Sequence, residues 1–293
     1  MINGIQREGY GISMRRCILF LVLGFCICPA IYADNDIVRK AYCYIKAYPD
    51  FFIGYTNGCL VTKDGHEIPF DDGIKSKDYD KMIIDKRIGD KAFDPEDALY
   101  WSYHAGSKIP TVDNPPIGDP GRIRPGEIFT YMYGSSKSER MKKIRSVQWV
   151  GSSGKNEKPI YMTTVNGVDK ALEEVARELK NLPEERKKNL EGIIFNVGGY
   201  SGYYDRPVRD YPRRTSAHAY GIAVDVNRDY EYYIGQHRGE PYRYRNKMPQ
   251  YLVDIFERHG FIWGGRWHDY DNMHFEYRPE VLLNDSDDSQ PIE

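Results

Sequence analysis

Two short stretches carry residue types whose spacing suits chemistry. Ser216 to Asp225 reads S-A-H-A-Y-G-I-A-V-D and sets an imidazole, His218, seven positions before a carboxylate, Asp225. Asp271-Asn272-Met273-His274 adds a second carboxylate and a second imidazole three apart. Two histidines and one aspartate make a three-ligand zinc set with the fourth position open, which is the catalytic rather than the structural pattern. Asp271 is then left over to act as a base. A lone histidine near a strand is ordinarily just a satisfied polar residue, so the weight lies in the coincidence of both spacings. The remaining histidines lack such a setting: His66, His104, His237 and His259 fall in turns, loops or at a helix end, and His268 is at most a rim residue.

Metal ligands need rigid neighbouring elements to hold them. Ile222 to Val226 reads as a buried strand, and a carboxylate between Val224 and Val226 is costly unless something such as a metal pairs it. Gly221 permits a tight backbone between the two ligands. His274 lies on a second strand, read over 273–277, with Glu276 two residues on and therefore on the same face. Glu276 is read either as a partner of a ligand imidazole or as an exposed strand carboxylate. Between them, the apolar Leu252, Val253, Ile255 and Phe256 predict a helix over 249–259, and Phe261-Ile262-Trp263 a strand. Trp263, Trp267, Tyr220 and Tyr277 are expected to line or floor a cleft, or to be core.

Upstream, Val168, Leu172, Val175 and Leu179 predict an amphipathic helix over 168–182. Residues 125–133 and 137–145 read as helices, 146–150 and 160–164 as paired strands, and 192–197 as a buried strand. Arg228 to Lys247 is an insertion-like run of tyrosine and arginine. The fold class expected is α+β: a small antiparallel sheet carrying the site, with helices packed on one face.

At the N-terminus, Arg15-Arg16 precede an apolar run from Cys17 to Cys28 and the small-residue exit Pro29 to Ala33. That is the pattern of a cleaved signal peptide, 1–33, and the run is too short for a transmembrane anchor of roughly 20 apolar residues. Removing it takes away three arginines and one glutamate and leaves a net charge of about −4, which argues against a nucleic-acid partner held through phosphates. Three of the five cysteines go with it. The remaining pair, Cys43 and Cys59, reads as a disulfide in an exported chain, with two buried thiols as the alternative. It would staple a helix over 34–47 to a hairpin around Asn57-Gly58. Segments 34–118 and 119–283 are expected to be an N-terminal accessory part and the catalytic domain, and 284–293 a disordered tail.

S-x-H-x-x-G-x-A-x-D, followed by W-G-G-x-W and D-x-M-H-F-E, resembles the D-Ala-D-Ala carboxypeptidase/L-Ala-D-Glu endopeptidase family of zinc peptidoglycan peptidases, within the lysostaphin/hedgehog-type fold group. The resemblance is specific over 194–277, looser over 119–193 and absent before that. It implies His218, Asp225 and His274 as zinc ligands and Asp271 as the base. It further implies an arginine upstream of the first ligand that holds the oxyanion, for which Arg206 is the first candidate and Arg209 the second. Ser216 would hold a substrate carboxylate or orient the site, and Arg209, Tyr220 and Trp263 would also face substrate. The implied activity is hydrolysis of stem peptides by an exported periplasmic or secreted enzyme, as a carboxypeptidase first and an endopeptidase second. A non-catalytic zinc-containing binding module is the alternative from another class. Peptidoglycan peptides are the expected partner, with no stable membrane anchor; oligomeric state is left open.

Overall fold

The computed structural model describes residues 35–73, 93–150, 159–190, 193, 199, 215–226, 232–234 and 241–286. The signal-peptide reading, the strand over 192–197 apart from Ile193, and Arg206 and Arg209 lie outside them. No helix among the described residues is long and apolar enough to cross a membrane.

Helix α1 (Asn35–Ala47) has Asp36 in its first turn and Lys46 in its last, each on the end that its charge favours. It buries Ala41, Cys43 and Tyr44. A meander follows, β1 (Phe52–Thr56), β2 (Cys59–Thr62) and β3 (Glu67–Pro69), paired antiparallel. Asn57 and Gly58 both have positive φ, 50° and 78°, as a two-residue hairpin turn of Asn-Gly requires.

The expected disulfide is not there: Cys43 and Cys59 are free thiols. Strand periodicity explains it. Leu60 and Thr62 of β2 face the core while Cys59 takes the opposite face. Cys43 Sγ points along its own helix to the Arg39 carbonyl, 3.4 Å away, and Cys59 Sγ lies 3.8 Å from the Asn57 carbonyl. Apolar packing replaces the staple, with Cys43, Tyr44, Phe52, Leu60 and Ile68 in the main core. Burial pushes the Cys43 thiol up to about 12, so alkylation should discriminate. Iodoacetamide at pH 8 is expected to label Cys59 in the native protein on the order of ten-fold faster than Cys43, and both equally in denaturant without reductant. A cross-linked Cys43–Cys59 peptide pair on a non-reducing digest would overturn this.

Helix α2 (Gly126–Tyr133) leads to α3 (Lys137–Met141), which starts with a capping box made by Ser136 and Glu139. The chain leaves the helix earlier than the 145 expected. Ile144 to Val147 form β4, paired antiparallel with β5 (Ile160–Thr163), and Arg145 reaches Asp169 and Glu173 on the next helix. That helix, α4 (Val168–Lys180), buries the predicted face; α5 (Glu184–Leu190) follows.

The sheet that carries the site is β6–β8–β7, all antiparallel, with β6 spanning Ala223–Asp225, β7 Phe261–Trp263 and β8 His274–Tyr277. Helix α7 (Gln250–Arg258) covers one face, where Phe256 stacks on Phe275 with ring centroids 3.9 Å apart and meets Phe261 edge-on. Helices and small antiparallel sheets make the expected α+β class. The first residues of the expected tail are folded. Helix α8 (Pro279–Asn284) packs against α1, Asn284 Nδ2 donates to the Leu99 carbonyl, and the Asp285 carboxylate accepts the Tyr103 and His104 amides. Asn284 to Ser286 therefore belong to the body.

Candidate metal centre

His218 sits in a single helical turn, α6 (Ala217–Tyr220). The Ser216 hydroxyl caps that turn, accepting the His218 amide at 3.3 Å. Gly221 ends it at φ 73°, and a Cβ there would stand 2.5 Å from Ile144 and 2.9 Å from the Thr163 amide nitrogen. That amide donates to the Gly221 carbonyl, so β5 clamps the turn and the chain enters β6 at once. Asp225 ends β6 directly opposite His274, the first residue of β8. Two candidate ligands are thus a cross-strand pair, the closest side-chain relation a sheet offers.

His218 Nε2 lies 3.0 Å and His274 Nδ1 2.9 Å from the same oxygen, Asp225 Oδ1. The other nitrogen of each ring is occupied. His218 Nδ1–H donates to the Gly199 carbonyl at 3.1 Å, and His274 Nε2–H to Glu276 Oε2 at 3.2 Å. Each ring therefore has its orientation fixed and its remaining nitrogen turned on the common point, as metal-binding imidazoles are held. The three donors form a group able to hold a metal ion, and two nitrogens with one carboxylate are a donor set that zinc accepts.

Electrostatics agree with that geometry. Burial alone would raise the Asp225 carboxyl, but His218 and His274 beside it hold it well below the usual carboxylate range. Burial alone would lower His274; its hydrogen bonds to Asp225 and Glu276 and the nearby charge of Asp271 push it up to about 9. Glu276 is fully buried, and despite that burial Arg124, His274 and Arg278 hold it far below its ordinary value. It is not an exposed strand carboxylate.

Asp271 lies in the turn before β8. Its amide donates to the Gly264 carbonyl at 2.9 Å, its carbonyl accepts the His274 amide at 3.1 Å, and its backbone bridges Tyr233. A Cβ on Gly264 would come within 2.5 Å of the Asp271 carbonyl oxygen, so that position admits the Asp271 segment only without a side chain.

Some aromatic expectations need correcting. Tyr220 is buried against Phe129 and Tyr133 under the Arg140 guanidinium, and Trp263 is buried with its indole N–H donating to the Asn272 carbonyl at 2.8 Å. Both take the core alternative. The Ser216 hydroxyl is used as a helix cap. Trp267 is the indole that meets the ligands, 5.6 Å from the His274 ring, with the Arg122 guanidinium 4.8 Å over its own ring.

Arg122, Arg124 and Arg278 were missed in the sequence. Arg124 grips both oxygens of Glu276, and Arg122 donates to the Asp269 carbonyl at 2.7 Å. Burial would lower the Arg122 guanidinium, but Asp119, Tyr233, Asp269 and Asp271 around it raise it. The only signal was a Gly-, Pro- and Asp-rich loop ending in D-P-G-R-I-R-P-G, which reads as turn chemistry and says nothing of what its arginines reach.

Residues 210–277 match the family model described as D-alanyl-D-alanine carboxypeptidase. The match spans all four of His218, Asp225, Asp271 and His274 and supports the resemblance to zinc peptidoglycan peptidases. No curated protein and no solved structure matches the chain significantly.

Proposed function

We propose that the chain is an exported zinc peptidase that hydrolyses stem peptides of peptidoglycan, releasing terminal D-Ala. The observation that carries this reading is the convergence of His218 Nε2 and His274 Nδ1 on Asp225 Oδ1, with the opposite nitrogen of each ring tied back to the protein. The matched family model, by its description, favours a carboxypeptidase over an endopeptidase.

His218, Asp225 and His274 would hold the ion. When bound, zinc polarises a substrate carbonyl and makes water acidic enough to attack at neutral pH. Asp271 takes a proton from the attacking water and returns it to the departing amine. Glu276 keeps the His274 ring turned so that Nδ1 faces Asp225, where an ion would be held, and the Gly199 carbonyl does the same for His218. Trp267 packs beside the His274 ring. Arg206, from the sequence resemblance, is the residue assigned to the oxyanion.

Defined muropeptides test this directly. Incubation with zinc is expected to release free D-Ala, detected by mass, with loss on chelation and recovery on adding zinc back. Internal fragments without free D-Ala would replace the carboxypeptidase by an endopeptidase. No hydrolysis by a zinc-loaded protein that still binds muropeptide would make it a binding module.

A further inference from the structure

The segment from Pro241 to Pro249 has no regular secondary structure, yet it is firmly tied to the turn that carries Asp271. The Arg243 carbonyl accepts the Tyr270 hydroxyl at 2.9 Å and the Arg245 carbonyl accepts Asn272 Nδ2 at 2.5 Å. Next to it, the Tyr232 carbonyl accepts the Asn272 amide at 3.2 Å. The side chains alternate as in an extended chain. Tyr244 and Met248 are buried, with the Tyr244 hydroxyl donating to the Gly265 carbonyl at 2.7 Å, while Arg243 and Lys247 are exposed and Arg245 is half-buried.

Arg243, Arg245 and Lys247 line one cavity of about 720 Å3, which Ile109, Val112, Tyr244 and Met248 line as well. Tyr232 is also part of the lining, with Lys247 Nζ 5.1 Å and the Arg245 guanidinium 6.0 Å from its ring centre. Among the described residues no carboxylate lines the cavity. The chain as a whole is slightly acidic, at −2, so three cations at alternate positions around one hollow are a local feature. Holding them together costs mutual repulsion that an anion relieves, and cations stacked on an aromatic face are preorganised to receive one.

We propose that this cavity is a subsite for the free carboxylate of an acidic peptide, next to the metal centre on the side of Asp271. The hollow is too large for a single small ion, and its tyrosine and aliphatic walls suit a peptide backbone. Resting on the peptidase reading, the ligand is the D-Glu part of the stem peptide. A D-Glu residue keeps one free carboxylate whichever of its two acids forms the chain.

Two synthetic stem peptides test it, identical except that the D-Glu carboxylate is free in one and amidated in the other. Calorimetry on the full chain with zinc chelated measures binding without turnover, and hydrolysis of both peptides is scored on the zinc-loaded chain. The free acid is expected to bind about ten-fold more tightly than the amide, the worth of one charge-assisted contact. The preference should vanish in the R243Q/R245Q/K247Q variant. The R243Q/K247Q variant, altered only at exposed side chains, should lose most of it should the triple variant fold poorly. An undiminished preference in both variants, or no preference in the wild type, overturns the subsite. Acid preference in a protein that hydrolyses neither peptide keeps the subsite and sinks the peptidase; hydrolysis without acid preference does the reverse.

Discussion

Replacing Asp271 by alanine is expected to lower kcat on a D-Ala-terminated stem peptide by about 10²- to 10⁴-fold, the range that a positioned proton-transfer group contributes. Zinc content should stay at about one ion per chain, because the three-donor set of His218, Asp225 and His274 is untouched. Alanine keeps the backbone contacts of Asp271, the amide to Gly264 and the carbonyl to His274, and removes the charge that acts on His274 and Arg122. Asp271→Asn keeps the shape and removes the charge and the basicity, so it should be nearly as inactive. His218→Ala is the contrast, since it removes a donor and should lose metal together with activity. Metal analysis alongside kinetics separates the two roles. Turnover that survives in Asp271→Ala would show that Asp271 is not the base, and zinc lost from Asp271→Asn would make it a metal-site residue instead.

The parts of this site that could be read in the sequence are those in which chemistry and local periodicity coincide. Histidine and aspartate at S-A-H-A-Y-G-I-A-V-D and D-N-M-H are rare residue types in apolar surroundings, and the strands around them follow from their β-branched and aromatic neighbours. Helices α4 and α7 were equally legible, since a 3.6-residue stripe announces a buried face without tertiary information. What the sequence could not give is pairing at a distance. Nothing in the spacing says that Asp225 stands opposite His274, because register is fixed by which faces of β6 and β8 are buried together. The same limit hid the reach of Arg124 to Glu276 and of Arg278 to the Gly121 and Ile123 carbonyls across the fold, and it misled on Cys43 and Cys59. An even cysteine pair suggests a bridge, but one residue of strand phase turns Cys59 away from the helix that carries Cys43. Large aromatics near the ligands were ambiguous in the same way. Tyr220 and Trp263 have the composition of a cleft wall and the burial of a core.

Arg278→Met is expected to destabilise the chain by about 3–5 kcal/mol in urea unfolding, the cost of leaving a buried charge without its partner. Total stabilities of about 5–15 kcal/mol make that a large fraction. Arg278, Glu276 and Glu280 are all fully buried. The guanidinium donates to Glu280 at 2.5 Å, to Glu276 at 3.3 Å, and to the Gly121 and Ile123 carbonyls of the loop that also carries Arg124. It also lies 5.0 Å over the Phe129 ring, so methionine fills the space but none of the polar roles. Glu280 in turn accepts the Tyr48 hydroxyl at 2.5 Å, just past the end of α1. A line of buried polar contacts therefore runs from Asp225 through His274, Glu276, Arg278 and Glu280 to Tyr48, and the N-terminal segment supports the metal centre through it. Two further outcomes follow. Adding Glu280→Gln to Arg278→Met should recover part of the lost stability, because it removes one of the stranded charges and the two residues share a network. Zinc affinity should fall about 10- to 100-fold in Arg278→Met, the usual effect of loosening a group behind a ligand, since Glu276 then rests on Arg124 alone to face His274. Recovery of stability without recovery of zinc affinity in the double variant would assign the two effects to the two ends of the arginine. A variant that melts within about 1 kcal/mol of the wild type would instead mean that water or a neighbouring cation replaces it, and the line would carry no support to the site.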